Sequence, residues 1–324
     1  MKRLFTYLFS LVVSVSAFAQ TGTTAYEFMN IPTGAHSAAV GGKAAAMIED
    51  DITLMFDNPA LLSNVSDKTL NFDYMSYMSG SMKLSAAFTR QWGPRGNWAV
   101  GAQVLNYGEM TETNDNFEEL GKFNANDINI QGGYTYMFTD RITGGVQGKV
   151  LMSHYGDYSS IGLAVDLGLN YYDSKKGFSM GLVAQNLGGQ VDALYEESQK
   201  MPFNLVLALS KQMPNAPLRF SLNFSDLTHW KKSYYMTNGK ELSSGKRFLH
   251  HLSIGAEVFP SKQTWLALGY NFRRGHEMKV QDSSKWAGFS VGGGLNIKKF
   301  KVGVTYAKYH IASSSLLINA SYSL

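Results

Sequence analysis

Ile142-Thr143-Gly144-Gly145-Val146-Gln147-Gly148-Lys149-Val150-Leu151-Met152 is the stretch on which the fold turns. Ile142, Gly144, Val146, Gly148, Val150 and Met152 share one parity, and Thr143, Gly145, Gln147 and Lys149 the other. A strand sends successive side chains to opposite faces, so this segment is a ribbon, apolar on one side and small or polar on the other. The same pattern continues on both sides of it. Ile128, Ile130, Gly132, Tyr134 and Tyr136 alternate with Asn129, Gln131, Gly133 and Thr135. Ile161, Leu163, Val165, Leu167 and Leu169 face away from Asp166 and Asn170.

Read this way, the chain holds strands near 70–78, 82–90, 97–107, 127–138, 141–153, 159–172, 177–186, 202–211, 217–226, 248–259, 263–273, 286–297, 299–309 and 314–324. That makes about fourteen, and bacterial barrels have an even number. The connections alternate in length. Gln91–Gly96, Thr139-Asp140, Asp173–Lys176, Gln212–Ala216, Pro260–Lys262 and Lys298 are tight. The long ones, Gly108–Asn126, Leu187–Met201, Asp226–Arg247 and Arg274–Lys285, all fall in the other set. Short periplasmic turns and long outer loops are the outer-membrane pattern, and a soluble sandwich has no reason to sort loops by parity. The expected fold is all-β: a transmembrane antiparallel barrel spanning 69–324, with the long loops outside the cell.

The chain begins with Lys2 and Arg3, an apolar run from Leu4 to Val15, and Ala17-Phe18-Ala19. This reads as a cleaved signal peptide over 1–19, too short to span a membrane as a helix. There is no Cys, hence neither a disulfide framework nor a lipoprotein anchor. The 29 Lys and Arg against 25 Asp and Glu become 27 against 25, or +2, once Lys2 and Arg3 are removed. With no basic tract left, nucleic acid is not an expected partner. Mean hydropathy of −0.16 excludes a polytopic helical membrane protein.

Residues 20–68 lack sustained alternation and are rich in small residues. A barrel of this size needs filling, so the segment is expected to fold into the lumen as a hatch or plug; the competing reading is a disordered leader. Asn58-Pro59-Ala60 suits a turn that seats it, because Asn accepts turn hydrogen bonds and Pro fixes φ. Glu49, Asp50, Asp51 and Asp57 offer carboxylates for a hard cation, but a solvated turn or N-cap is the favoured reading, and no metal site or cofactor is expected.

Several stretches carry a resemblance. Asn30-Ile31-Pro32, Ala35-His36-Ser37-Ala38-Ala39-Val40-Gly41-Gly42, Asp50-Asp51 and Asn58-Pro59-Ala60-Leu61-Leu62, in that order, resemble the hatch of the fatty-acid-transporter-like barrels. Within that group, Ser66-Asp67-Lys68-Thr69, Gln185-Asn186-Leu187-Gly188-Gly189-Gln190 and Met201-Pro202-Phe203 are similar to the PorV/PorQ proteins of the type IX secretion system, on the PorQ side. The resemblance implies membership of an attachment complex that anchors cargo to lipopolysaccharide. There the barrel would dock a PorZ-like surface protein, beside a PorU-like sortase and a PorV-like barrel. The alternative it implies is transport of hydrophobic small molecules.

An enzyme is not expected. The seven His residues, His36, His154, His229, His250, His251, His276 and His310, have no nucleophile-elbow context, and Gly-x-Ser-x-Gly does not occur. In a regular strand His250 and His251 would point to opposite faces. Trp98, Trp230, Trp265 and Trp286 read as an interfacial girdle. Trp230, Tyr234 and Tyr235, in the longest outer loop, are candidate partner anchors, with packing onto the loop's own barrel rim as the other reading.

Overall fold

The structure is a computed structural model that describes residues 24–114, 116, 118–193, 198–231, 236–237, 240–277, 286–309 and 313–324. The signal peptide expected over 1–19 lies outside them. The wall begins with β1 (Thr69–Ser76), β2 (Met82–Trp92), β3 (Gly96–Thr113), β4 (Glu119–Met137) and β5 (Ile142–Tyr155). It continues with β6 (Tyr158–Asp173), β7 (Phe178–Asp192), β8 (Asn204–Gln212) and β9 (Leu218–Phe224). β10 (Leu252–Ser261), β11 (Thr264–Asn271), β12 (Phe289–Ile297), β13 (Phe300–Ala307) and β14 (Ser315–Ser323) complete it. Each strand pairs antiparallel with its neighbours, and β14 closes on β1 from Thr69↔Ser323 to Ser76↔Leu316, giving a closed barrel of fourteen strands.

The alternation has a physical cause. Leu163, Leu167 and Leu169 of β6 project outward and are exposed, whereas Ala164, Asp166 and Asn170 are buried inside. Val302, Val304 and Tyr306 of β13 repeat this pattern, as do Leu316 and Ile318 of β14. An apolar surface wrapping the whole wall is stable only against lipid, and closure leaves no unpaired edge there. The chain is an outer-membrane barrel.

The structure corrects several boundaries, and the strand expected over 177–186 runs on to Asp192, into the expected loop Leu187–Met201. The expected loop Gly108–Asn126 is mostly ladder: β3 and β4 stay paired out to Thr113↔Glu119, past an irregularity after Asn106. Above the membrane neither face of that hairpin needs to be apolar, so the hydropathy period fades while the hydrogen bonds continue. The expected strand over 248–259 starts only at Leu252, because Ser244–His250 is a helix (α2). Phe272–Glu277, expected as strand end and loop, is another (α3). Loop length is still segregated by barrel end, with 193–203, 225–251 and 272–288 all on one side.

Residues 24–68 run among the inward-facing side chains. They form 3-10 turns at Glu27–Asn30, Ile52–Phe56 and Pro59–Asn64 and one short helix, Ala35–Ala39 (α1). The apolar core lies where this segment meets the wall. Val40, Met47, Leu54 and Leu61 pack with Trp265 and Ala267, and Ile52, Met55, Leu62 and Val65 pack with Ala87 and Ala99. Each such side chain contributes about 1.5–3 kcal/mol on burial.

Candidate functional site

Asn58 and Pro59 form the tightest seat between the N-terminal segment and the wall. Asn58 is fully buried; its Oδ1 accepts from Ala60 N at 3.0 Å, and its Nδ2 donates to Ala45 O at 2.7 Å. Pro59 occupies the first position of the following 3-10 turn, where its missing N–H costs nothing. Three adjacent strands offer glycine beneath it. A Cβ on Gly145 would stand 2.4 Å from Pro59 C, one on Gly168 2.1 Å from Asn58 Oδ1, and one on Gly181 2.2 Å from Ala45 O. The turn therefore rests directly on bare backbone.

Ionic contacts hold the rest of the segment. Arg219 of β9 donates through Nε and Nη2 to Glu257 of β10, both at 2.7 Å, and through Nη1 to Glu49 of the segment at 2.7 Å. His36 of α1 meets Glu257 Oε1 at 2.6 Å and stacks on Trp265 with ring centroids 3.9 Å apart. Lys83 of β2 donates to Ile31 O at 2.7 Å and Thr33 Oγ1 at 3.0 Å. Trp265 is thus a lumen residue, not part of the girdle. Its parity with Ala267 and Gly269 marks it as inward, and residue type alone misplaced it.

The carboxylates considered for a cation diverge to separate partners. Glu49 pairs with Arg219, Asp50 with Lys301 and Ser66, and Asp57 with Ser37 and Ala44 N. Asp51 caps the Ile52–Phe56 turn by accepting from Thr53 N at 2.9 Å. No cluster fit to hold a metal occurs among the described residues.

Above the segment, toward the long-loop end, lies a cavity of about 850 Å³. Glu27, Asn30, Ile31 and Lys43 of the segment line it from below. Leu187, Met201, Pro202 and Phe203 give it an apolar side, and Arg273 and Arg274 a cationic one. Arg274 also lies over the Tyr309 ring, 4.2 Å from its centroid. This volume falls in the range of small-molecule sites.

The rim of the cavity is built by α2, α3 and residues 225–231. His250 ends α2 and His251 follows it, so neither sits in the strand expected for them, and both are buried. The His250 ring lies 4.8 Å from that of His276, and burial, then His276 and Arg273, push its pKa down to about 4. Burial also lowers His251, whose Nδ1 donates to Ser225 O at 2.8 Å. Trp230 donates to Leu227 O at 2.6 Å and packs on His251, 4.0 Å between centroids, while 43% exposed. Trp230 thus packs on the rim and still presents part of its ring outward. Tyr234 and Tyr235 lie outside the described residues.

No family model and no curated protein matches this chain. Solved structures do. The toluene transporter TbuX of Ralstonia pickettii is similar over 91% of this chain and 98% of its own, at 16% identity and a TM-score of 0.58. The toluene transporter TodX of Pseudomonas putida covers 93% and 98% at 13% identity and 0.58. A FadL homologue of Pseudomonas aeruginosa covers 94% and 100% at 9% identity and 0.56. At such identities the likeness is one of fold, and it places the chain's architecture with the FadL and TodX barrels.

Proposed function

We propose that this barrel takes a small hydrophobic or amphipathic molecule from outside the cell into the cavity above the N-terminal segment. The observation that carries this reading is the 850 Å³ space with apolar residues on one side and Lys43, Arg273 and Arg274 on another. That the solved neighbours include toluene transporters supports it by analogy of fold. The test is displacement of a fluorescent fatty acid from the detergent-solubilised protein by dodecanoate and by toluene. Saturable binding, weakened about tenfold (~1.4 kcal/mol) by Leu187→Trp in a protein that still folds, is expected. Absence of saturable binding, or indifference to the substitution, would remove transport as the function.

A second reading is the surface dock: a non-enzymatic barrel of the type IX attachment complex holding a PorZ-like protein, with PorU-like and PorV-like members beside it. Two observations favour it. Polar side chains line the inward wall, where ion pairs hold the segment, and α2 presents Phe248 and Leu249 at the outer rim, 46% and 38% exposed. Affinity purification of the tagged protein from membranes, followed by mass spectrometry, tests it. Recovery of a surface partner that is lost in a Trp230→Ala, Tyr234→Ala, Tyr235→Ala variant with normal folding would favour the dock.

A further inference from the structure

The end of the barrel opposite the cavity is strongly cationic. Five of its six turns carry Lys or Arg: Arg95 after β2, Arg141 after β4, Lys175 and Lys176 after β6, Lys262 after β10, and Lys298 and Lys299 after β12. All of these are exposed, as are Lys68 and Arg90 at the same level. Against them stand only two exposed acidic side chains among the described residues there, Asp67 and Asp140. The other end differs, with Glu109, Glu112, Glu118 and Glu119 exposed on its tallest hairpin.

The placement of these charges around the circumference indicates what they face. Two acidic groups of this end, Glu49 and Asp50, sit toward the axis on the N-terminal segment, where Arg219 and Lys301 neutralise them, and on the perimeter Asp173 stands 3.8 Å from Arg141. The cations stand on the perimeter. Between them the outer wall ends in exposed aromatics: Trp92, at 71% exposure, Phe138 beside Arg141, and Phe300 directly after Lys299. Aromatic side chains at an apolar boundary mark headgroup level, and a lysine or arginine there reaches the lipid phosphates with its charge while its stem lies on the hydrocarbon.

We propose that this perimeter is a binding surface for anionic phospholipids of the periplasmic leaflet, held by their headgroup phosphates. Basic side chains at a membrane surface attract anionic lipid, and the attraction falls with salt. A soluble acidic protein is the competing occupant. It would find the cations spread around a ring rather than gathered into one patch, whereas lipids arrive singly around that same ring.

The experiment uses the whole mature barrel in a Trp286→Phe background, leaving Trp92 and Trp98 as lipid-facing reporters at the cationic end. The protein is reconstituted in phosphatidylcholine–phosphatidylglycerol vesicles in which one lipid or the other carries brominated chains. Quenching should show phosphatidylglycerol favoured by about threefold or more over its bulk share, falling to about one in roughly 0.5 M salt. Lys175→Gln, Lys176→Gln, Lys298→Gln and Lys299→Gln together should abolish the preference. Neutralising Lys122, Lys200 and Lys246 at the far end should leave it intact. Heat-modifiable migration reports folding, and if the fourfold variant fails to fold, K298Q/K299Q alone should lower the ratio. A ratio of about one in the unmodified protein, or a ratio insensitive to these substitutions, overturns the proposal. So does cross-linking of an acidic periplasmic protein to this ring, lost in the fourfold variant, when the unmodified protein shows a phosphatidylglycerol ratio of about one.

Discussion

Replacing Glu257 by Ala should loosen the N-terminal segment without opening the barrel. Arg219 and Glu257 face each other across the β9–β10 pair, so their contact survives whether or not the segment is in place. What the segment changes is water. With it seated, the guanidinium and carboxylate are almost fully buried; with it withdrawn, both are hydrated. In Glu257→Ala the seated state holds an arginine that has lost two bonds of 2.7 Å and keeps Glu49, Ile48 O and a 3.5 Å contact with His36 Nε2. His36 loses its 2.6 Å partner at the same time. Stranding one member of a buried pair costs about 3–5 kcal/mol, and the remaining Glu49 contact places this case near the lower figure. About 3 kcal/mol is roughly two decades in the ratio of seated to withdrawn segment. Hydrogen exchange at the amides of Ala38 and Gly42 in detergent should therefore accelerate about a hundredfold, while β5 and β6 amides remain protected. Glu257→Leu with Arg219→Met should restore most of the protection, since it removes both charges. Acceleration of less than about threefold, or a double variant as loose as the single one, would refute the account of the latch.

Other outcomes follow from the same geometry. Asn58→Ala removes a cap and leaves Ala45 O without its donor, a loss of about 2–3 kcal/mol in segment seating, read by its protease sensitivity. Gly145→Val drives a side chain into Pro59 backbone that has no room to yield, so cleavage within 24–68 should rise further while heat-modifiable migration is kept. The folded His250 sits near pKa 4, below its ordinary value of 6.5, so its contribution is complete above about pH 6.5 and is lost as pH falls toward 4. Exchange in α2 and α3 should accelerate over that window, and His250→Gln should reduce the response to the part that His251 contributes.

Lipid made most of the wall legible in the sequence. It demands one apolar face from every spanning strand, so Leu163, Leu167 and Leu169 or Val302 and Val304 reveal strand, parity and outer surface together. Where lipid ends, that demand ends, and the upper part of the β3–β4 hairpin passed for a loop although its ladder continues. The turn at Asn58-Pro59-Ala60 was readable because turn chemistry is local. The latch was not, since His36 and Glu257 lie far apart in sequence. A signal existed nonetheless. Arg219 and Glu257 occupy inward parity within spanning strands, where an ionised side chain requires a partner. Lys83, Lys149 and Asp166 do so too. Reading parity before residue type would have moved Trp265 from the membrane interface to the lumen.

The seating of the segment on strands from opposite sides of the wall constrains the order of assembly. Its turn rests on β5, β6 and β7, while α1 bonds to β12 and β13 through Ser290→Ala39 O at 2.9 Å and Thr305→Ala35 O at 2.6 Å. No hairpin formed early offers both surfaces. The residues made first are therefore the last to find their partners, and their bonds close loops that run through most of the chain, the slowest kind of contact to form. Until β14 meets β1, the polar groups of the inner wall must stay wet. Curling of the sheet, expulsion of that water and docking of the segment then belong to one late cooperative event, and a lesion in the latch should delay barrel maturation before it alters any ligand or partner.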